Sequence, residues 1–319
     1  MLSSRAQAFV AKYGIVAVLL VLIAVATVLY PRFLSAANLR DILSQNAGVG
    51  IVAIGMTYVI LARGFDLSVG SIYALGATVF AGFSVSGNPI VAGIVALLIG
   101  TGVGLVNGLL VTRLKVNPFV ATLGSSSAIS GLAFIYSHSA PFVVGKPDFQ
   151  MLGLSSLGTV PTPALIFIVL AVAAGLVLSR TNLGRNIYAV GGNPEASRLS
   201  GLRVPVLVGG TYVLTGLLAT LAGMIDASRL GVGQADVGGT VALDAIAVVV
   251  IGGTSLLGGE GAIWRTVVGL FILATLTNMF YSLNVSQNWQ LIAKGVIVVA
   301  AVAMDGLLRS RRARRPQTA

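Results

Sequence analysis

The feature that most constrains the fold of this chain is its succession of long apolar stretches. Of its 319 residues, 56% are hydrophobic and only 9% are charged, whereas soluble domains carry about 25% charged residues. The chain is therefore predicted to be a multi-pass membrane protein. Its 40 glycines fit this class, because small residues let membrane helices approach closely.

Ten stretches reach the roughly 17 apolar-dominated residues that a helix needs to cross the hydrocarbon core. They lie near residues 14–30, 46–63, 68–85, 89–112, 118–137, 161–179, 204–227, 241–258, 262–283 and 289–308. The predicted fold class is an all-α integral membrane protein of about ten transmembrane helices, forming a single domain over residues 1–319. Eight spans are the alternative, reached most easily by merging 46–85 into one broken unit.

The basic residues indicate the topology. Under the ten-span interpretation both termini lie on one side, and fifteen of the 20 Lys and Arg residues fall on that side, four on the other and Lys294 within the tenth stretch. Positively charged loops are typical of the cytoplasmic side. We therefore expect a bacterial cytoplasmic (inner) membrane protein with both termini cytoplasmic and a basic tail at 309–319. The net charge of +11 reflects this topology and does not indicate nucleic-acid binding.

A polar island, GRNIYAVGGNPEASRLSGLR at 184–203, separates two apolar stretches. Asn193 suits the N-cap of a helix, Pro194 its first position, and Gly201 a left-handed end. About two turns fit between these signals, with Ala196 and Leu199 on one face. The pattern predicts a short docking helix on the cytoplasmic side. The alternative is a solvated loop whose arginines only satisfy the positive-inside rule.

Two further junctions between apolar stretches carry glycine and polar residues. In GFDLSVGS at 64–71, Asp66 is expected to cap the following helix through the N–H of Ser68 or Val69, within either a broken helix or a plain turn. IGGTSLLGGEGAIWR at 251–265 has no Lys after its glycines and does not fit the phosphate-binding loop. A tight turn is expected there, and the chain is not expected to bind ATP itself.

Polar residues in or beside the spans are candidates for a solute path. Uncharged polar side chains there either line a hydrated path for a polyhydroxylated solute or form interhelical hydrogen bonds. Charged residues are few, and Asp226, Asp244 and Lys294 fall near outer span ends, where Lys can snorkel. The uncharged candidates are Gln45, Asn46, Thr57, Asn107 and Asn278.

No catalytic or metal-binding constellation is apparent in the sequence. The chain has no Cys and a single His, His138, and no Ser/His/Asp set, paired catalytic carboxylates or metal-ligand cluster is recognisable. The sequence therefore predicts neither an enzyme nor a metal protein. A transport function in the membrane remains the interpretation that the residues support.

The motifs GMTYVILARGFDLSVGS, GRNIYAVGGNPEASRLSGLRV and LDAIAVVVIGGTSLLGGEG, in this order, resemble the permease subunits of ribose-type sugar ABC importers, which carry ribose, xylose, arabinose or galactofuranose. The resemblance runs from about Phe33 to Asp305. It implies the ten-span architecture of the type II importer class that contains the vitamin B12 permease. It also implies a permease homodimer or heterodimer within the lipid bilayer.

The resemblance further implies an ATP-binding cassette subunit on the cytoplasmic face, which holds ATP and Mg²⁺, and a periplasmic sugar-binding protein on the other. Residues Asp66, Leu67, Ser68, Val69 and Gly70 match a signature turn of the family. Two positions depart from its pattern, Arg63 and Arg265, where glycines are usual. The segment that couples to the ATPase matches Gly192, Asn193, Pro194, Glu195, Ala196, Arg198, Leu199, Ser200 and Gly201.

Two other functions stay open from the sequence. An ABC permease for branched-chain amino acids or nucleosides would have a related architecture and the same kinds of partner. A stand-alone secondary transporter would need coupling-ion ligands at mid-membrane depth.

Overall fold

The computed structural model describes residues 4–313, with side chains at 13–297, 299, 300 and 303. The predicted basic tail 309–319 lies outside the described side chains. The helices are α1 Ser4–Leu29, α2 Ala36–Leu61, α3 Val69–Ser86, α4 Pro89–Thr112, α5 Pro118–Ser137, α6 Pro147–Leu154, α7 Thr162–Arg180, α8 Asn182–Gly192, α9 Pro194–Leu199, α10 Val204–Leu230, α11 Val241–Ile251, α12 Ile263–Ser282 and α13 Gln287–Ala313. Two short antiparallel pairs join β1 Phe142–Val143 to β4 Val232–Gly233, and β2 Ser156–Leu157 to β3 Val160–Pro161.

Asn-Pro pairs set the start of two long helices. The side chain of Asn88 accepts a hydrogen bond from the N–H of Ile90 at 2.8 Å, and that of Asn117 accepts one from Phe119 at 2.9 Å. Proline follows each cap at the first helical position, where its missing N–H costs nothing. The bounds of α4 and α5 therefore coincide with the stretches predicted from the sequence.

Each of the ten predicted stretches contains one helix. Seven helices in the described part of the chain are long and apolar enough to cross a membrane: α2, α3, α4, α5, α7, α10 and α12. α1 supplies a shorter apolar segment from Tyr13 to Leu29, and α13 covers the tenth stretch. α2 and α3 are separate helices joined by a non-helical turn, so residues 46–85 do not form one span.

α2, α3 and α10 form the centre of the bundle. In their most apolar windows, α2 and α3 are 72% and 78% buried, whereas α4, α5 and α7 are only 22–28% buried. α10 packs against α2, α3 and α4. The outer helices consequently expose much apolar surface, as expected of helices that face lipid.

Glycine permits the close contact between α4 and α10. A β-carbon on Gly104 would lie 3.0 Å from the Cα of Val213, and one on Gly216 would lie 3.0 Å from the Cα of Gly104. Larger side chains would push these two backbones apart. Such small-residue contacts replace the hydrophobic drive for helix association that lipid does not provide.

The eighth predicted span, 241–258, needs correction. α11 ends at Ile251 and is 11 residues long, about 16 Å, which is too short for a hydrocarbon core of about 30 Å. The preceding residues 231–240 run beside α3, because a β-carbon on Gly233 would lie 2.5 Å from the carbonyl oxygen of Ala77 and one on Gly238 would collide with Gly70. The segment 231–251 is therefore non-helical up to residue 240 and helical after it. The apolar run misled the prediction because it continues through the turn at Gly253, whose φ is 77°.

Gly104→Val should destabilise the bundle, since overpacking of a close contact costs about 1–3 kcal/mol. Gly102, on the same helix, has no atom within 4 Å of the position its β-carbon would take, so Gly102→Val is the matched control. Thermal unfolding of the full-length protein in detergent should show a lower midpoint for the first variant only. Equal midpoints for the two variants would contradict the packing argument.

Candidate functional site

The polar island folds into two consecutive helices, where the sequence predicted one. α8 begins at a cap in which the hydroxyl of Thr181 accepts a hydrogen bond from the N–H of Gly184 at 3.3 Å. Ile187 and Val190 are buried at 2% and 0% exposure, so α8 lies against the bundle through one face. The missed helix is amphipathic, and its apolar face was too short to be recognised as a membrane-length stretch. We call the end of the bundle that carries these helices the α9 end.

α9 has the caps that the sequence predicted. The Asn193 side chain accepts a hydrogen bond from the N–H of Ala196 at 3.0 Å, Pro194 occupies the first turn, and Gly201 has a φ of 84°. The guanidinium of Arg198 donates to both carboxylate oxygens of Glu195, at 2.5 and 3.1 Å. These hydrogen bonds, together with the positive charge of Arg198, lower the pKa of the Glu195 carboxyl.

The outward surface of α9 has no partner within the described residues. Leu199 is 74% exposed, and Ala196, Glu195 and Arg198 are exposed beside it, whereas Ser197 is buried against the protein. An exposed leucine between two opposite charges suits docking onto another protein.

α8 and α9 are held by the turns that follow α2 and α11. The N–H of Gly259 donates to the carbonyl of Leu61 at 2.9 Å, and a β-carbon on Gly191 would collide with Leu61 and lie 2.5 Å from the nitrogen of Gly259. The hydroxyl of Tyr188 on α8 donates to the carbonyl of Gly261 at 2.8 Å. α8 therefore packs directly against these two turns, and α9 follows α8 after a single residue, Asn193.

The predicted signature residues span the start of α3: Asp66, Leu67 and Ser68 lie in the turn before it, and Val69 and Gly70 are its first two residues. Asp66 is fully buried, and its Oδ1 accepts hydrogen bonds from the N–H and hydroxyl of Ser68, at 3.0 and 2.5 Å. Asn107 on α4 donates to the same hydroxyl at 2.8 Å. The chain of contacts ties α4 to the turn, and it leaves Asp66 Oδ2 and Asn107 Oδ1 without a hydrogen-bond partner.

The two residues that depart from the family pattern are Arg63, in the turn after α2, and Arg265, in the first turn of α12. Arg63 has a φ of 63°, a left-handed conformation that glycine adopts at little cost and other residues adopt rarely. The glycine that the resemblance leads one to expect at this position would relieve that strain. Arg265 lies over the ring of Trp264, 5.4 Å from its centroid.

Three of the five predicted path residues meet at one polar cavity. Gln45, Asn46 and Asn278 line a cavity of about 330 Å³ among α2, α3, α10, α11, α12 and α13. The other two lie elsewhere. Thr57 shares a hydrogen bond of 2.8 Å with Thr266, and Asn107 belongs to the network around Asp66.

The cavity also contains charged residues that sequence reasoning did not bring together. Lys294 forms an ion pair with Asp244 at 3.0 Å, and Arg229 forms one with Asp226 at 2.5 Å. Lys294 therefore does not snorkel as expected. Asp226 and Arg229 are three residues apart on one helix, a spacing that the sequence could have revealed. Asp244 and Lys294 are 50 residues apart, and only the packing of α11 against α13 joins them.

A larger groove of about 590 Å³ lies between α7 and α12, but its lining is almost entirely apolar. Such a surface suits lipid acyl chains better than a hydrated solute. The polar cavity is therefore the stronger candidate for solute contact.

Comparison with known proteins identifies the family. Residues 38–302 match the family described as the branched-chain amino acid transport system / permease component. The ribose import permease protein RbsC of Escherichia coli (strain K12) is 42% identical over 292 residues, covering 90% of this chain and 91% of that protein. RbsC of Bacillus subtilis (strain 168) is 41% identical over 290 residues, with 90% of each chain covered.

A third relative, the galactose/methyl galactoside import permease protein MglC of Escherichia coli (strain K12), is 36% identical over 320 residues, covering 94% of this chain and 95% of that protein. No solved structure matches the chain.

Membrane-length helices around a polar cavity, with a short, capped and exposed helix at one end, fit a multi-pass membrane permease. The chain belongs to the family of branched-chain amino acid transport system permease components. The relatives named above are transport permeases and not enzymes.

Gly191→Ala should weaken the attachment of α8, because the added β-carbon meets the backbone of Leu61 and Gly259, which cannot easily move. We expect a loss of about 1–3 kcal/mol in stability, seen as a lower thermal unfolding midpoint. The neighbouring Gly192→Ala is the control, since no atom lies within 4 Å of its β-carbon position. The packing at this junction would be refuted by an unchanged midpoint for Gly191→Ala.

Proposed function

We propose that this chain is the transmembrane permease subunit of an ATP-driven importer for a monosaccharide or a related polyol. The observation that carries the proposal is α9, a capped helix that exposes Leu199 and an ion pair and directly follows α8, which packs against the turns after α2 and α11. A rigid exposed helix in this position can transmit the movement of a docked protein to the spans. That protein is a separate ATP-binding cassette subunit, which supplies ATP and Mg²⁺.

The relatives support a sugar over the other solutes. Proteins named for ribose and galactose import are 36–42% identical over at least 90% of this chain, and one named for D-allose transport is 33% identical over 93% of it. The name of the family model keeps branched-chain amino acids as the second candidate. A cavity lined by amides, hydroxyls and charged pairs fits hydroxyl groups better than an aliphatic side chain.

The proposed assembly follows from the resemblance of the motifs to ribose-type permeases. Two permeases form a homodimer or heterodimer in the cytoplasmic membrane of a bacterium, with an extracytoplasmic sugar-binding protein at the end opposite α9. Both termini and the α9 end face the cytoplasm, in line with the excess of Lys and Arg there. The chain crosses the membrane ten times, counting the half-helical crossing that ends in α11, in an architecture like that of the vitamin B12 permease.

A stand-alone secondary transporter is less well supported. The two carboxylates at the cavity, Asp226 and Asp244, are each engaged by a basic side chain, so neither is poised to take up a coupling ion. The docking surface on α9 would also have no role in such a transporter.

Reversing either charge on α9 should weaken the binding of the partner protein. Glu195→Lys or Arg198→Glu is expected to lower co-purification of the ATP-binding subunit and solute-stimulated ATP hydrolysis by about fivefold at most, because exposed charges contribute modestly to binding. The measurement compares both quantities at equal permease expression and equal unfolding midpoint.

The double exchange Glu195→Arg with Arg198→Glu separates recognition from helix stability. It restores an ion pair within α9 but inverts the charges shown to the partner. The defect should persist in this variant. Full recovery would mean that the charges only stabilise α9, and unchanged assembly in all three variants would refute the docking proposal.

A further inference from the structure

In the proposed topology, the crossing that ends in α11 borders the polar cavity within the membrane. Its non-helical half follows α3 down to Gly70, and Thr240, Val241 and Asp244 then line the cavity where the helix begins. Non-helical backbone at this depth is tolerated only inside protein or beside water. On the same half, Asp236 is exposed, which indicates water because a carboxylate facing lipid would cost about 2.5–3.5 kcal/mol or more.

The charged side chains that line the cavity include equal numbers of carboxylates and cations. Asp244 with Lys294 and Asp226 with Arg229 place two carboxylates and two cations on its walls. Side chains of this kind are expensive within a membrane and usually mark a functional site. Because each charge has an opposite partner, the cavity is polar without attracting an ion of either sign.

Hydroxyl groups match this lining. A hydroxyl both donates and accepts hydrogen bonds, so a polyol can donate to the carboxylates and accept from the ammonium, guanidinium and amide groups. The amides come from Gln45, Asn46 and Asn278. The volume of about 330 Å³ lies at the small end of the range for small-molecule sites, which suits a single sugar ring.

We propose that this cavity is a solute site within each permease chain, where a neutral monosaccharide binds between the Asp244–Lys294 and Asp226–Arg229 pairs. The proposal rests on the function proposed above and adds the place of the solute. Binding there is weak, with a Kd of about 1 mM, because a transport site must release its solute readily.

The absence of cysteine from the chain allows a direct test. Gln45→Cys places one thiol at the cavity, and Thr57→Cys on the same helix is the matched control, since Thr57 is fully buried outside the cavity. The full-length permease in lipid nanodiscs is treated with a neutral, water-soluble methanethiosulfonate reagent, and the label is quantified by mass spectrometry. The Gln45→Cys thiol should react at least about tenfold faster than the control, as expected for a thiol that water reaches.

A bound sugar should then protect the thiol of Gln45→Cys from labelling. At about 20 mM, well above the expected Kd, ribose, galactose or allose should slow labelling of Gln45→Cys at least about fivefold. Leucine at the same concentration should not slow it. The combined change Asp244→Asn with Lys294→Gln, which removes one pair without leaving a lone charge, should leave the thiol reactive but abolish protection.

Three outcomes would overturn the proposal: no labelling at Gln45→Cys, equal labelling with and without all three sugars, or protection by leucine alone. These failures are distinct from failure of the proposed function. If uptake still depends on the ATP-binding subunit and on α9 while the cavity thiol stays unprotected, the permease assignment stands and the solute binds elsewhere.

Discussion

The structure depends on the requirement that every backbone N–H and C=O within the bilayer has a hydrogen-bond partner. Continuous helices meet this requirement by themselves. The breaks at 62–68, 231–240 and 252–262 do not, so they must be packed against protein or lie beside water. This explains why α2 and α3 are the most buried spans, and why glycines occupy the contacts of the breaks, such as Gly70 against Gly238 and Gly191 against Gly259.

Two of these breaks border the short helix α11. The polar cavity lies towards one end of α11, and the turn that contacts α8 follows its other end. α11 begins at the polar cavity, where Asp244 pairs with Lys294, and ends eight residues before Gly259, which donates to Leu61 beneath α8 and α9. A helix of 11 residues is a stiff connection over about 16 Å. α11 therefore lies between the polar cavity and the turn that contacts α8.

Local signals in the sequence predicted local structure well. Apolar length located the long helices and the bounds of α4 and α5, the Asn193-Pro194 pair located the start of α9, and Gly201 marked the left-handed residue after α9. The prediction failed at 241–258, where composition stays apolar while the chain leaves the helix. It also missed α8, and it could not separate Gln45, Asn46 and Asn278, which share a cavity, from Thr57 and Asn107, which do not.

The sequence by itself determined that this is a multi-pass membrane protein with a capped polar helix between two apolar stretches, because helix length and caps are properties of neighbouring residues. Only the tertiary structure decided which polar residues meet. The pairing of Asp244 with Lys294, and of Gly259 with Leu61, depends on how helices far apart in the chain pack together. Packing in a bilayer is set by small-residue contacts and buried polar groups, whose partners no local pattern specifies.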